Sequence, residues 1–121
     1  MLIVQKYGGS SVADAEKIRR VAGIIADTFC EGHDVVVVLS AQGDTTDELL
    51  EKAAEIHPSA SKRELDVLLS TGEQMSIALM AMALERLGLP VISLTGWQIG
   101  METDSNHGKA RIHRISTERL R

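Results

Sequence analysis

Val35-Val36-Val37-Val38-Leu39 is an unbroken apolar run, almost entirely β-branched, that stops at the polar stretch Ser40-Ala41-Gln42-Gly43-Asp44. A strand with one solvated face alternates apolar and polar residues, whereas a strand covered on both faces does not. The run therefore predicts a strand of a parallel sheet packed between helices. Upstream, Asp14–Glu31 carries Ile18, Val21, Ala22, Ile25 and Phe29 at helical spacing, with Glu16, Lys17, Arg19 and Arg20 off that face. Gly32 stands where a left-handed C-cap is expected. Leu2–Tyr7 reads as a first strand. Downstream, Thr46–Ile56 reads as a helix stopped by Pro58. Ser61–Thr71 and Glu73–Leu87 read as two helical stretches broken or kinked near Gly72. The second is rich in Met and Ala (Met75, Ala78, Met80, Ala81, Met82), as in a helix packed on most sides. Gly88 caps it, Pro90 opens a third strand over Val91–Thr95, Gly96–Gly100 is a turn, and Ala110–Ile115 is a further short strand. Ser116–Arg121 reads as the first turn of a helix capped by Ser116.

The order β-α-β-α-α-β, followed by a β excursion, predicts a three-layer α/β/α sandwich with a mostly parallel sheet. Ligands of such sheets bind beyond the carboxyl ends of the strands. That rule singles out three loops: Gly8–Ser11, Ser40–Thr46 and Thr95–Gly100.

Composition bounds the function. The 121 residues make one domain at most, and 44% hydrophobic content supplies a core. A domain of this size buries roughly 65% of its unfolded surface. A net charge of −4 and only three aromatic residues, Trp97, Tyr7 and Phe29, argue against nucleic acid as a partner. Cys30 is the single cysteine, so no internal disulfide forms, which fits a reducing cytoplasm. Its place in an apolar helical pattern predicts a buried structural thiol. Gln74–Leu84, the longest nearly uncharged stretch, is too short to span a bilayer, and Leu2–Val4 lacks the features of a signal segment, so no membrane association is expected. His33, His57 and His113 stand apart from other metal-ligating residues, so no zinc site is expected. Asn106-His107-Gly108 reads as a turn.

The first loop, Lys6-Tyr7-Gly8-Gly9-Ser10-Ser11-Val12, places a lysine at a strand end, then two glycines and two hydroxyls before a helix. Glycines let backbone approach an anion, and N–H groups at a helix start point at it. The spacing is not that of a Walker A loop. The same residues also suit a tight strand-to-helix turn with an edge lysine. In the second loop Thr45 or Thr46 can cap the following helix, with Asp47 and Glu48 favouring its positive end. Alternatively, Ser40 and a threonine contact a small polar ligand. Ser70-Thr71-Gly72-Glu73 matches a capping box, and Glu73 either closes that helix start or faces a ligand's ammonium group. In the third loop Trp97, between two glycines, reads as a packing aromatic.

Together these segments resemble a known family. Lys6–Val12 is similar to the K-[FY]-G-G-[ST]-S signature of aspartate kinases. Val35–Leu39 with Ser40–Leu49 resembles the family's strand and S-A-M-G-x-[ST]-[TN] loop. Arg63–Ser76 resembles R-E-x-D-x-L-L-[SA]-T-G-E-Q, and Thr95–Gly100 with His107–Ile112 resembles T-G-W-Q-A-G and H-G-N-A-R-I. The match runs through the chain in order. It implies an amino-acid kinase fold and transfer of phosphate from ATP, with Mg²⁺ held through the nucleotide phosphates, to the β-carboxylate of L-aspartate. By the same resemblance Lys6 is catalytic and stabilises the transferring phosphoryl group. Gly8, Gly9 and Ser10 hold phosphate, Ser40 and Thr46 hold aspartate, and Glu73 binds its α-ammonium.

Gln42 departs from the family's methionine and is expected at the rim of the site. The family's domain continues into a nucleotide-binding half and regulatory ACT domains that residues 1–121 do not include. These residues are thus expected to be the N-terminal portion of a kinase domain, inactive or nearly so alone and prone to homo-oligomerise through exposed sheet edge and apolar faces. Two other readings remain. One is a non-catalytic module binding aspartate or phosphate. The other is a related kinase acting on glutamate or N-acetylglutamate, where an acylated amino group would not need Glu73.

Overall fold

The computed structural model describes residues 1–115 and 117–119. The helix cap expected at Ser116, and the residues 120–121 of that helix, lie outside the described residues. Strands β1 (Leu2–Tyr7) and β2 (Asp34–Leu39) pair in parallel, with Leu2 opposite Asp34 and Tyr7 opposite Leu39. Helix α1 (Ala15–Cys30) is the crossover between them. Asp14 starts it, its carboxylate accepting from the Lys17 N–H at 2.9 Å, and Gly32 ends it at φ +97°.

The core forms where α1 crosses the sheet. Ile18, Val21, Ala22 and Ile25 are buried with Val12, Met80 and Leu84, and Tyr7, Val35, Val37 and Leu39 pack against them. Alternation along β1 turns Ile3, Gln5 and Tyr7 towards this core and Leu2, Val4 and Lys6 away from it. The Gln5 amide donates to Thr28 Oγ1 of α1 at 3.0 Å.

The opposite face of the sheet is bare among the described residues: Val4 is 63% and Val38 46% exposed. The described residues therefore build a parallel sheet with helices on one face, and the third layer of the expected sandwich is not among them. The segment Val91–Thr95 is not a strand, correcting the expectation. Val91 and the preceding Leu89 pack against the core, but the segment and β2 share the lining of a cavity of about 800 Å³ without pairing across it. Paired strands lie about 4.8 Å apart, so no ladder forms across that gap. Instead, β3 (Met101–Thr103) and β4 (Ile112–Ile115) make a small antiparallel hairpin with an irregularity at Glu102/Thr103. The expected strand over Ala110–Ile115 is thus shorter by two residues at its start.

Helix α2 spans Thr45–Ile56, and α3 runs without a break over Lys62–Arg86. The expected interruption at Gly72 does not occur. Gly72 is buried, and a Cβ there would lie 3.2 Å from Ala41 Cβ, 3.2 Å from Thr45 Cγ2 and 3.4 Å from Leu49 Cδ1. The glycine lets the start of α2 seat directly on the α3 backbone. Ser70 and Thr71 cap nothing, because their hydroxyls donate one turn back to Val67 and Leu68 carbonyls at 2.7 and 2.6 Å. The cap of α3 is Ser61, whose Oγ accepts from the Glu64 N–H at 3.3 Å. Gly88, at φ +81°, closes the other end, with Gly88 N–H on Glu85 O and Leu89 N–H on Leu84 O.

By length and composition alone α3 is apolar enough to cross a membrane. Here Gly72, Ser76, Met80 and Leu84, four residues apart, form its buried stripe. Met75, Leu79 and Met82 are exposed, so the helix is packed on one side rather than most sides. Cys30 is exposed, not buried. It falls about 100° around the helix from Phe29 and off the stripe set by Ile18, Val21, Ala22 and Ile25. Trp97 is 85% exposed and does not pack, since the turn carrying it is closed by its own hydrogen bonds.

Candidate functional site: two strand-end loops and one helix wall

Beyond Tyr7 the chain stays extended at Gly8 and then tightens into a 3₁₀ turn, Gly9–Val12, with the Ser11 N–H on Gly8 O at 3.1 Å. Val12, fully buried, anchors that turn in the core. Beyond β2, Ser40 extends the parallel ladder by one bond, its N–H donating to Tyr7 O at 3.2 Å. The two loops then close on each other. Gly43 N–H donates to Gly9 O at 2.9 Å, and the Gln42 side-chain amide donates to Val12 O at 3.0 Å. A Cβ on Gly9 would sit 2.5 Å from the Ala41 carbonyl oxygen, so only glycine permits this approach. Gly43 turns the chain back at φ +44°.

Helix α3 supplies a third wall, because Gly72 touches Ala41 and Thr45. Glu73 follows Gly72 and lines the cavity with Ser70 and Gln74, as do Leu39, Thr95 and Gly96. The structure thus brings Gly8, Gly9, Ser10, Ser40 and Glu73 to the carboxyl end of the parallel pair. Lys6 lies at that end too, exposed on the face away from Tyr7. The ion pairs among the described residues are His33–Glu31, Arg63–Glu64 and His107–Asp66, and none involves Lys6 or Glu73. Glu73 is mid-helix, so the helix-closing role open to it in the sequence is excluded.

Thr46 is exposed on the first turn of α2, whereas Thr45 is the half-buried threonine against Gly72. Neither caps the helix. Asp44 holds the cap position without a side-chain bond, while Asp47 and Glu48 occupy the first turn as expected. Gln42 does not stand at the rim as a group facing a ligand, because its amide bridges the two loops. Tyr7 packs beneath the site. Its hydroxyl donates to Gln5 Oε1 at 2.9 Å, and burial pushes its pKa above the ordinary tyrosine value.

The third loop was legible as a turn but not in its fastening. Thr95 N–H donates to Gln98 Oε1 at 2.8 Å, and Gln98 N–H donates to Thr95 Oγ1 at 3.4 Å. This is the reciprocal pairing of a capping box, and the T-x-x-Q spacing was its signal. Among the described residues no three His, Cys, Asp or Glu side chains converge as a metal site.

Comparison with known proteins follows the same residues. The amino acid kinase family profile matches residues 1–121. The chain is similar to the aspartokinase of Geobacillus stearothermophilus, 54% identical over 120 residues covering 99% of this chain and 30% of the relative. It is 56% identical over 120 residues to that of Mycolicibacterium smegmatis, covering 99% of this chain and 28% of the relative. Among solved structures it resembles aspartate kinase from Synechocystis, with a TM-score of 0.79 and 52% identity over 82% of this chain and 17% of that one. The chain therefore spans under a third of the length of these curated relatives.

Proposed function

Because the chain belongs to the amino acid kinase family, we propose that residues 1–121 form the amino-acid half of an aspartate kinase site. The reaction is transfer of the γ-phosphoryl group of ATP to the β-carboxylate of L-aspartate, giving 4-phospho-L-aspartate and ADP. That is the entry step to lysine, threonine, methionine and diaminopimelate, in the cytoplasm. In this reading the nucleotide half and the rest of a three-layer sandwich come from chain outside these residues, and the whole protein is a homo-oligomer.

The observation that carries the proposal is the closure of the two loops at the carboxyl ends of parallel strands, Gly43 N–H on Gly9 O at 2.9 Å, with Gly72–Glu73 as a wall. The closure fixes backbone donors at the two strand ends. A Cβ at Gly8 would meet nothing within 4 Å, so a phosphate can reach that backbone. The 3₁₀ turn starts with N–H groups that have no intrahelical acceptor, those of Gly9 and Ser10. Lys6 adds the positive charge. Mg²⁺ carried on the nucleotide phosphates supplies further charge neutralisation. Glu73 takes the α-ammonium, while Ser40 and Thr46 donate to the amino acid's carboxylates. A β-carboxylate oxygen then attacks the γ-phosphorus as the bond to the β-phosphate oxygen breaks. Phosphoryl transfer asks for this positioning and charge stabilisation more than for covalent help.

Hydroxylamine traps an acyl phosphate as a hydroxamate, which gives the assay. The whole protein carrying these residues should form hydroxamate only with both ATP and L-aspartate. Lys6→Ala should lower kcat by about 100-fold with the fold intact. Glu73→Ala should raise KM for L-aspartate while leaving KM for ATP unchanged. Normal turnover in Lys6→Ala, or preference for N-acetylglutamate, would sink the proposal.

A further inference from the structure

The hairpin β3–β4 is tied to α3 at one point that the reaction above does not use. Asp66 Oδ2 accepts from the Gly108 N–H at 2.7 Å and faces His107 Nδ1 at 3.7 Å. The loop is shaped for this contact. Gly108 sits at φ +82°, and a Cβ there would lie 3.4 Å from the Lys62 stem. Asp104 Oδ1 braces the loop from inside by accepting from Asn106 N–H at 3.0 Å and Arg111 N–H at 3.2 Å.

Asp66, Ser70 and Glu73 follow the i, i+4, i+7 spacing, which puts them on one face of α3. Asp66 and Glu73 are separated by about 10 Å along the helix axis. The stretch from Met101 to Asp104 also covers about 10 Å at strand rise. The root of the hairpin is fastened at the cavity: Met101 N–H donates to Gly96 O at 3.0 Å, and Thr95 and Gly96 line the same cavity as Ser70 and Glu73. The hairpin is thus tied to α3 at its tip through Asp66, while its root is bonded to a cavity wall that shares its lining with Glu73.

We propose that Asp66 is a positioning residue: by holding the hairpin tip through the Gly108 N–H and His107, it keeps the Thr95–Gly96 wall in place in the cavity that Glu73 also lines, at the amino-acid end of the site. This rests on the aspartate kinase reading for its kinetic consequence, but the latch itself is read separately.

In the whole protein carrying these residues, Asp66→Ala should raise KM for L-aspartate about tenfold, with kcat and KM for ATP within about twofold. Amide exchange at Gly108 should speed up about tenfold as its acceptor is lost. Asp66→Asn, which keeps an acceptor oxygen, should recover most of both. Gly108→Ala, which breaks the latch from the hairpin side, should repeat the Asp66→Ala pattern. Unchanged Gly108 exchange in Asp66→Ala overturns the latch. Faster exchange with an unchanged KM overturns the positioning role. If the unaltered protein forms no acyl phosphate, the kinase reading falls and Gly108 exchange alone decides whether Asp66 holds the hairpin.

Discussion

Two regions of this chain carry the same sequence device and reach different structures. Val35–Leu39 and Val91–Thr95 are both short apolar runs ending in a hydroxyl-and-glycine loop. The first pairs with β1 along its whole length, and its loop is bonded to the loop beyond β1. The second has no ladder among the described residues, a cavity beside it and a loop bonded within itself and to the adjoining Met101. A strand is a pairing, and propensity only makes a segment fit for one. In the paired region Gly9 and Gly43 answer to named neighbours across the gap. In the unpaired region the glycines answer to local turn geometry.

The largest effect should fall where the two paired loops meet. In Gly9→Ala the new methyl group would lie 2.5 Å from a backbone oxygen that the ladder holds in place. Separating the loops also costs the Gly43–Gly9 bond, so a loss of about 3 kcal/mol is expected from urea unfolding. A change within experimental error would show that the loops are not closed on each other in solution. Gly72→Ala comes next. Helix propensity alone would gain about 1 kcal/mol. Three contacts at 3.2–3.4 Å oppose it, one of them Ala41 Cβ, which has no rotamer to yield. The net expectation is a loss of about 1 kcal/mol. A stabilised variant would mean that α2 does not seat on α3 as described.

Gly96→Ala is the counterpart in the unpaired region. Its Cβ would meet only Met101, at 3.9 and 4.0 Å, and its φ lies outside the left-handed range. The change should stay within about 0.5 kcal/mol, with any gain coming from a stiffer unfolded chain. A loss comparable to that of Gly9→Ala would erase the contrast between the regions and point to close packing around this loop.

The same contrast sorts what could be read in advance. β1, α1 and β2 were legible because periodicity, Asp14 and Gly32 specify them locally. Gly8, Gly9, Ser10 and Ser40 were legible as neighbours because parallel topology brings strand ends together, whereas Glu73 was placed beside them only by the family resemblance. Gly72 was misread because a glycine in a helical pattern suits a break and a close approach equally. Only the position of α2 decides between them. Ser70-Thr71-Gly72-Glu73 fits a capping box by spacing, yet a cap needs a helix start, and the start was at Ser61. Gln42 was misplaced because its partner, Val12 O, lies thirty residues away in sequence. Trp97 was assigned to the interior by residue type and Cys30 by its apolar helical pattern, but exposure depends on which surfaces arrive to cover them.

Tyr7 offers the smallest and most specific probe, since it is the chain's one tyrosine and ends the first paired strand. Burial raises its pKa above the ordinary tyrosine value of 10.0. The unfolded chain therefore gives up the phenol proton first as pH rises. The resulting contribution to stability is intact below pH 10.0 and is lost as pH climbs through the higher folded value. The quantity to compare is the slope of unfolding free energy against pH in Tyr7→Phe and in the unaltered chain, which isolates the tyrosine part. Tyr7→Phe should lose the tyrosine part of the alkaline decline, while giving up the hydrogen bond to Gln5 at every pH where the phenol is protonated. Parallel slopes would mean that Tyr7 is as well solvated in the folded state as in the unfolded chain. The end of β1 would then be open to water, and the paired region would be no better packed there than the unpaired one.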